Sequence, residues 1–475
     1  MMRSLYSGVA GLKTHQTRMD VIGNNIANVN TTAYKSQSMT FSDLMYQTTQ
    51  SASGANAATG TGGTNARQIG LGSKTGAIKT AITTQGASQT TSDPFDMMIT
   101  GENFFVVSNG QENLFTRDGS FYVDGAGNLC MTSTGYNVMG WLADDATGKI
   151  KQDLVKPLQI MAAKYMTYPP EITSKAEISG IVDAQDVNIT SDEGRLVTFD
   201  FYNNLGYKYT AQFRMTDVDD GGTPPVIQEG QFKMELVKIT DSEGEEVKIA
   251  GAVPTEAQYK AIYNSDQIFK FNNTTGALEE VTNRDTALTK TATSFAMEVT
   301  SLGEAFKNPN PEDPALVNRG IIVVDASAMV NFNNNGASTV TCTRGDSNGA
   351  GGGRMLGEMS GVSIQKDGMI YATYDNGQRR LLGQIATAAF ANASGLEKQG
   401  DNLYSATQNS GDFDGIGVDI TAGGGYMNSG VLEMSNVDLS AEFTEMITTQ
   451  RGFQANSRII TVSDTLLEEL TNLKR

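Results

Sequence analysis

The sequence is poor in the residues that most enzyme chemistry needs. Of 475 residues, one is histidine, His15, and two are cysteine, Cys130 and Cys342. One imidazole excludes any metal site built from several histidines, and its place on a helix with heptad spacing speaks against histidine-relayed nucleophilic catalysis; no cofactor is expected. Two cysteines so far apart define no disulfide framework and read as structural thiols. Charged side chains are only 19% of the chain and the balance is acidic: 53 Asp and Glu against 35 Lys and Arg, a formal charge of −18. That leaves no basic face for nucleic acid or an anionic membrane surface.

Long apolar runs are also missing. Nothing approaches the roughly eighteen consecutive apolar residues of a membrane-spanning helix, so no membrane insertion is expected. The N-terminus has no apolar core of about 7–15 residues, the mark of a cleavable secretory signal. Simple export rules therefore expect a cytoplasmic chain, a rule that substrates of dedicated secretion machines escape. Proline is scarce at both ends, with all but two of the ten prolines lying between about 165 and 350.

The proline-free ends carry helical periodicity. From Leu439, apolar side chains fall at Phe443, Met446, Phe453, Ile460, Leu467 and Leu470, the a/d spacing of a coiled-coil seam, with Gln450 and Ser457 as polar interruptions. One helix from about Val437 to Leu473 is expected, capped by Ser435 or Asn436, with Asp438 and Glu442 in its first turns. At 1.5 Å per residue it spans roughly 55 Å and calls for a partner. At the other end, Leu5, Val9, Leu12, Met19, Ile22, Ile26 and Val29 step by three or four around the polar Gln16. Arg3, Lys13 and Arg18 outnumber Asp20 on this segment, whereas seven carboxylates face four cations from Glu433 onward. The two seams can pair within one molecule or pack against copies of it. A two-helix hairpin alone is marginal, so packing among many copies is favoured.

Between the ends the pattern changes to strands. Residues 36–70 include a Gly/Ala/Ser/Thr/Asn tract too poor in large apolar residues to form a core, and read as a connector. Then FFVVS, NLFTR and SFYV alternate with Asn109-Gly110, Asp118-Gly119 and Asp124-Gly125, a β meander that ends near Trp141. Strands such as 196–202 and 231–239, separated by a turn-rich stretch at 217–225, make residues 166–354 a mainly β segment. Hairpin signals of the first kind resume beyond it, at 368–374, Asp375-Asn376-Gly377 and 379–390, with 341–354 as the returning linker. The expected fold class is α+β and multidomain. A helical coiled-coil domain comes from 1–35 with 431–475, a core β domain from 71–165 with 355–430, and an inserted outer β domain from 166–354.

Four local patterns imitate functional motifs. Gly70 to Thr75 has the wrong spacing for a phosphate loop, because Ser73 intervenes. Asp412, Asp414 and Asp419 lack the twelve-residue pattern and closing Glu of a calcium loop. Arg344-Gly345-Asp346 is an adhesive-type tripeptide of the kind that Gly-rich loops produce by chance. His15 lies on the heptad helix and reads as a solvated or interface residue. An enzyme is not expected.

At the ends the match is to a family. SLYSGVAGLKTHQTRMDVIGNNIANVNTTAYK and LEMSNVDLSAEFTEMITTQRGFQANSRIITVSDTLLEELTNLKR resemble the paired terminal signatures of flagellar rod and hook proteins. The matching positions include Asn24, Asn25, Ile26, Ala27, Asn28, Tyr34 and Lys35 at the start, and Ser435, Asn436, Val437, Gln450 and Arg451 at the end. GENFFVVSNGQENLFTRDGSFYVDGAGNLCMTSTGYNVMGW and LLGQIATAAFANASGLEKQGDNLY resemble the two halves of the family's core β domain, whereas the middle matches weakly, mainly at FDFYNNLGYKY. A large inserted β domain resembles the hook members; a distal rod or hook-associated junction subunit is the closest rival.

The resemblance implies a structural subunit exported unfolded through the flagellar secretion channel without signal cleavage. Outside the cell it would assemble into a curved helical tube that joins rod to filament and passes torque as a universal joint. Its implied partners are many copies of itself, the rod, hook cap and hook-filament junction proteins, and the export apparatus. Leu5, Val9, Leu12, Met19, Ile22 and Ile26 would then pack with Leu439, Phe443, Met446, Phe453, Ile460 and Leu467 as the innermost layer. Some spirochaete hooks cross-link neighbours through a Cys and a Lys; Cys342 is a conceivable site that no spacing supports. One position departs from the family: Ala33 stands where Gly is usual, and would be strained if that backbone has positive φ. A reading from another class is a secreted β-rich adhesin, prompted by the Ser/Thr/Asn-rich middle.

Overall fold

The computed structural model describes residues 2–473 except 55–59, 61, 146, 192, 220–226, 250–251, 256–257, 260–261, 263–266, 283–288, 290, 310 and 312–317. The chain divides into two compact units, one of Met1–Met166, Ser360–Thr373 and Arg379–Arg475, the other of Thr167–Met359 and Tyr374–Gln378. The protein is α+β and multidomain, with a helix at each end and many sheets between.

In the first unit, α1 (Met2–Ala27) and α2 (Leu439–Asn472) pack against each other. The cap of α2 is neither Ser435 nor Asn436: Asp438 is extended and its carboxylate accepts from the backbone N–H of Ser440 and Ala441. It wins because its short carboxylate satisfies two free amide donors of the first turn and favours the positive end of the helix dipole. Residues 36–70, expected as a connector, run extended but paired. Gln37–Asp43 pairs with Ser73–Thr80, and Tyr46–Gln50 with Arg67–Gly70. The tip of this ribbon, at 55–59 and 61, falls outside the described residues. Ser73 to Thr75, inside the phosphate-loop imitation, is strand.

The β part of this unit follows the hairpin signals. Phe104–Ser108 pairs with Asn113–Thr116 through Asn109-Gly110, and Phe121–Val123 with Leu129–Met131 across Asp124-Gly125. Asp118-Gly119 makes no hairpin, because Asn113–Thr116 pairs with Leu403–Ser405 instead of the next strand. The sheet order continues from Met369–Tyr374 through Arg379–Ile385, Asn137–Leu142 and Phe104–Ser108. Phe104–Ser108 is buried along its whole length, as a central strand covered on both faces should be. Phe104, Phe115, Phe390, Tyr404 and Phe413 meet edge to face beside it.

The second unit has a five-stranded antiparallel sheet starting at Arg195–Tyr202 and a four-stranded sheet in which Lys175–Val182 lies parallel to Ile321–Asn331. The alternation at 195–202 puts Val197, Phe199 and Phe201 into a core shared with Phe213, Met234, Phe269, Phe295 and Val324. The stretch 341–354, expected as a linker, opens with a strand: Thr341–Arg344 pairs with Lys175–Val182, because two threonines and Cys342 suit a pleated edge. Most of 217–225 falls outside the described residues. Asp346 and Asp414 accept from backbone N–H groups of their own loops, so both acidic imitations are turns.

Candidate polymerisation surface and the latch between the chain ends

The two helices meet through small and polar side chains. A Cβ added to Gly11 would stand 2.8 Å from Asn456 Oδ1, and one added to Gly8 would stand 3.2 Å from Ile460 Cγ1. Thr14 on α1 and Thr449 and Ser463 on α2 are buried. Thr449, Asn456 and Ser463 recur every seven residues on α2, and Asn456 and Ile460 stand against Gly11 and Gly8, whose missing side chains let the helices approach. Thr14 also reaches the ribbon, 3.1 Å from Ser73 Oγ. Arg18 donates to Glu445 at 2.9 Å, joining the helices at the surface.

The expected seam residues divide around this contact. Ile22 is buried, while Leu5, Leu12, Met19, Ile26, Met446, Phe453, Ile460 and Leu467 are half-buried. Val9, Leu439 and Phe443 are exposed. Sequence reasoning missed a second row on α2, Ile459, Val462, Leu466, Leu470 and Leu473, all exposed at helical spacing. It was legible as a stripe three and four apart, but the heptad count took only Leu470 from it. Tyr6 and Ile447 add to the uncovered apolar surface.

Below the helices, the signature residues form a polar latch. Asn25 Nδ2 donates to Glu442 Oε1 at 2.8 Å and to Gln37 O at 2.7 Å, and its Oδ1 accepts from Gln37 N at 2.9 Å. Tyr34 Oη donates to Asn25 Oδ1 and accepts from Asn24 Nδ2. Asn436 accepts from Ser36 N at 2.7 Å and donates to Ala81 O and Thr84 O. Asn28 donates back to the last turn of α1 at Asn24 O. Ile26, Ala27, Ser435, Val437, Gln450 and Arg451 take no such central part; Gln450 and Arg451 are exposed on α2.

Glu433 sits at the centre of this latch, although a lone carboxylate in the sequence carries no pattern that would single it out. Its Oε1 accepts from Lys35 Nζ at 2.7 Å and from Gly86 N at 2.9 Å, and Arg117 Nε lies 3.7 Å from Oε2. All three charged side chains are at most 1% exposed. Burial pulls the pKa of Lys35 down although Glu433 opposes it, and burial does the same to Arg117. Burial pushes Glu442 up, with Glu445 adding to it against the Asn25 hydrogen bond.

Ala33 does adopt the left-handed backbone, at φ 54°, and its N–H donates to the Glu433 carbonyl at 2.8 Å. The thiols are shielded: burial raises Cys130 and pushes Cys342 up to about 12.

Known proteins resemble this chain in sequence. Residues 5–35 match the family described as flagella basal body rod protein, residues 98–197 the flagellar hook protein FlgE/F/G D1 domain, and residues 428–473 the flagellar basal body rod FlgEFG protein C-terminal family. Most of both helices, with Asn25, Lys35, Glu433 and Asn436 of the latch, falls within the two terminal matches, and the class these describe is that of the flagellar basal-body rod and hook structural proteins. Along its full length it is 35% identical over 491 residues to the flagellar hook protein FlgE of Treponema pallidum, and 34% identical over 484 residues to that of Borreliella burgdorferi, covering 100% of each chain in both comparisons. The chain belongs to the flagellar hook protein family. A crystal structure of the Helicobacter pylori flagellar hook protein FlgE2 aligns with 72% of this chain and 99% of its own, at 15% identity and a TM-score of 0.41.

Proposed function

We propose that the chain is a structural subunit of the bacterial flagellar hook that polymerises through its terminal helices. The observation that carries this reading is the uncovered apolar surface on those helices. Val9, Phe443, Ile447, Ile459, Val462 and Leu466 stay exposed although α1 and α2 already pack together. Apolar stripes of that extent on a helix pair are stable when neighbouring copies cover them. Leu5, Leu12, Met19, Met446, Phe453, Ile460 and Leu467 are only half-buried in the single chain, and coiled-coil packing between copies would complete their burial.

In this reading, residues 1–35 with 431–475 form the inner layer, 36–70 the connector, 71–165 with 355–430 the core β domain and 166–354 the outer domain. The assembled tube is curved, joins rod to filament outside the cell and transmits torque as a universal joint. Export proceeds without cleavage of a signal, and the rod, hook cap and hook-filament junction proteins flank the polymer. The role is mechanical and no catalytic step is assigned.

Electron microscopy of assembled protein tests it. The full chain forms tubes and a chain cut to 71–430 does not; tubes of equal yield from the cut chain would refute the role of the ends.

A further inference from the structure

We infer that the charge of Glu433 docks both chain ends onto the core sheet, so that α1 and α2 order together or not at all. Glu433 closes the strand Val431–Glu433, just before α2. Through its carbonyl it takes the N–H of Ala33, and through Oε1 the ammonium of Lys35, both in the segment that leaves α1. Through Oε2 it faces Arg117, whose Nη1 and Nη2 donate to Asn103 O and Gly101 O, each at 2.6 Å. One carboxylate thereby joins the start of the chain, its end and the core β domain.

The charge count makes the joint unequal. Two buried cations share one buried anion, and Lys35 satisfies a second acceptor, Thr84 O, at 2.7 Å. Glu102 and Tyr404 also act electrostatically on Arg117, Tyr34 acts on Tyr404, and Lys398 adds a third cation that donates to Lys35 O and stands 4.9 Å over the Tyr34 ring. Removing Lys35 leaves a balanced Arg117–Glu433 pair. Removing the Glu433 charge leaves two buried cations with no counter-ion, the costliest outcome for a buried pair. Lys35→Met removes two hydrogen bonds, to Glu433 and to Thr84 O, whereas Glu433→Gln keeps an amide oxygen able to accept from Lys35 and Gly86, so bond loss makes Lys35→Met the worse change and only a charge effect makes Glu433→Gln the worse one.

The inference concerns the single chain and holds whether or not the chain polymerises. Hydrogen exchange read by mass spectrometry on the full-length monomer tests it with Glu433→Gln and Lys35→Met. Glu433→Gln is expected to speed exchange in α1 and α2 together by about tenfold or more, with residues 104–116 unchanged. Lys35→Met, which leaves Glu433 facing Arg117, is expected to speed exchange several-fold less than Glu433→Gln. The Glu433→Gln defect should also shrink as pH rises above about 7, after correction for intrinsic exchange, as buried, unpaired Lys35 sheds its proton. In a Glu433→Gln protein that folds, an effect equal to that of Lys35→Met, a defect that ignores pH, loosening of only one helix, or core exchange that speeds as much as that of the helices would each overturn the inference. If Glu433→Gln does not fold, an undocked helix pair in Lys35→Met still overturns it.

Discussion

Gly452 of α2 faces the imidazole of His15 on α1, and a Cβ at that glycine would stand 2.6 Å from His15 Cε1. The lack of a side chain there is what admits the ring between the helix and Phe41, which it meets edge to face at 5.3 Å. Gly452→Val should therefore loosen the helix pair by about 1–3 kcal/mol, read as a lowered helix melting transition by circular dichroism. Gly23 on α1 has nothing within 4 Å, so Gly23→Ala should instead stabilise the helix by up to about 1 kcal/mol.

The same histidine gives the helix pair a pH dependence. Burial, then the neighbouring Arg18, lowers the pKa of His15 below its ordinary 6.5. The folded state thus disfavours the proton: the contribution of neutral His15 is complete above about pH 6.5 and is lost as pH falls below it. Helix melting of the parent should drop between about pH 7 and pH 5, while His15→Gln should lack that component.

At Ala33 the left-handed backbone costs about 1–2 kcal/mol, partly offset by the lower chain entropy of alanine in the unfolded state. Ala33→Gly should stabilise the chain by up to about 1 kcal/mol in denaturant titration.

In the second unit, Asp186 ties the loop at 338 to the loop at 188. Burial would raise its carboxyl, but hydrogen bonds from Ser338 and Asn188 outweigh burial and hold it down at about 2. Its Oδ2 accepts from Ser338 N at 3.0 Å and from Arg195 at 3.2 Å. This stabilisation is present above about pH 4 and is lost as pH falls toward 2. Asp186→Asn should cost about 1–3 kcal/mol at neutral pH and flatten the acid limb of a stability curve for residues of this unit.

The ends were legible because their signals are periodic. Leu5 to Ile26 and Leu439 to Leu467 repeat over many turns, and the Asn-Gly and Asp-Gly turns marked most core hairpins. The face on which α1 and α2 touch was not, because Gly8, Gly11 and Gly452 have no side chain and Thr449 and Asn456 are polar, which leaves no hydrophobic trace. Glu433 was hidden for a related reason: a carboxylate's meaning lies in partners 398 residues away in sequence, such as Lys35. Asp118-Gly119 carried a true turn signal, but strand pairing with Leu403–Ser405 overrode it. Burial of Lys35, Arg117 and Glu433 in one place was beyond any pattern of neighbours along the chain.

The most direct test replaces Ile459, Val462 and Leu466, exposed on α2, with serine together and images the purified protein by electron microscopy. The polymer account predicts monomers with unchanged helix content and no tubes. Tubes formed as readily as by the parent chain would contradict it.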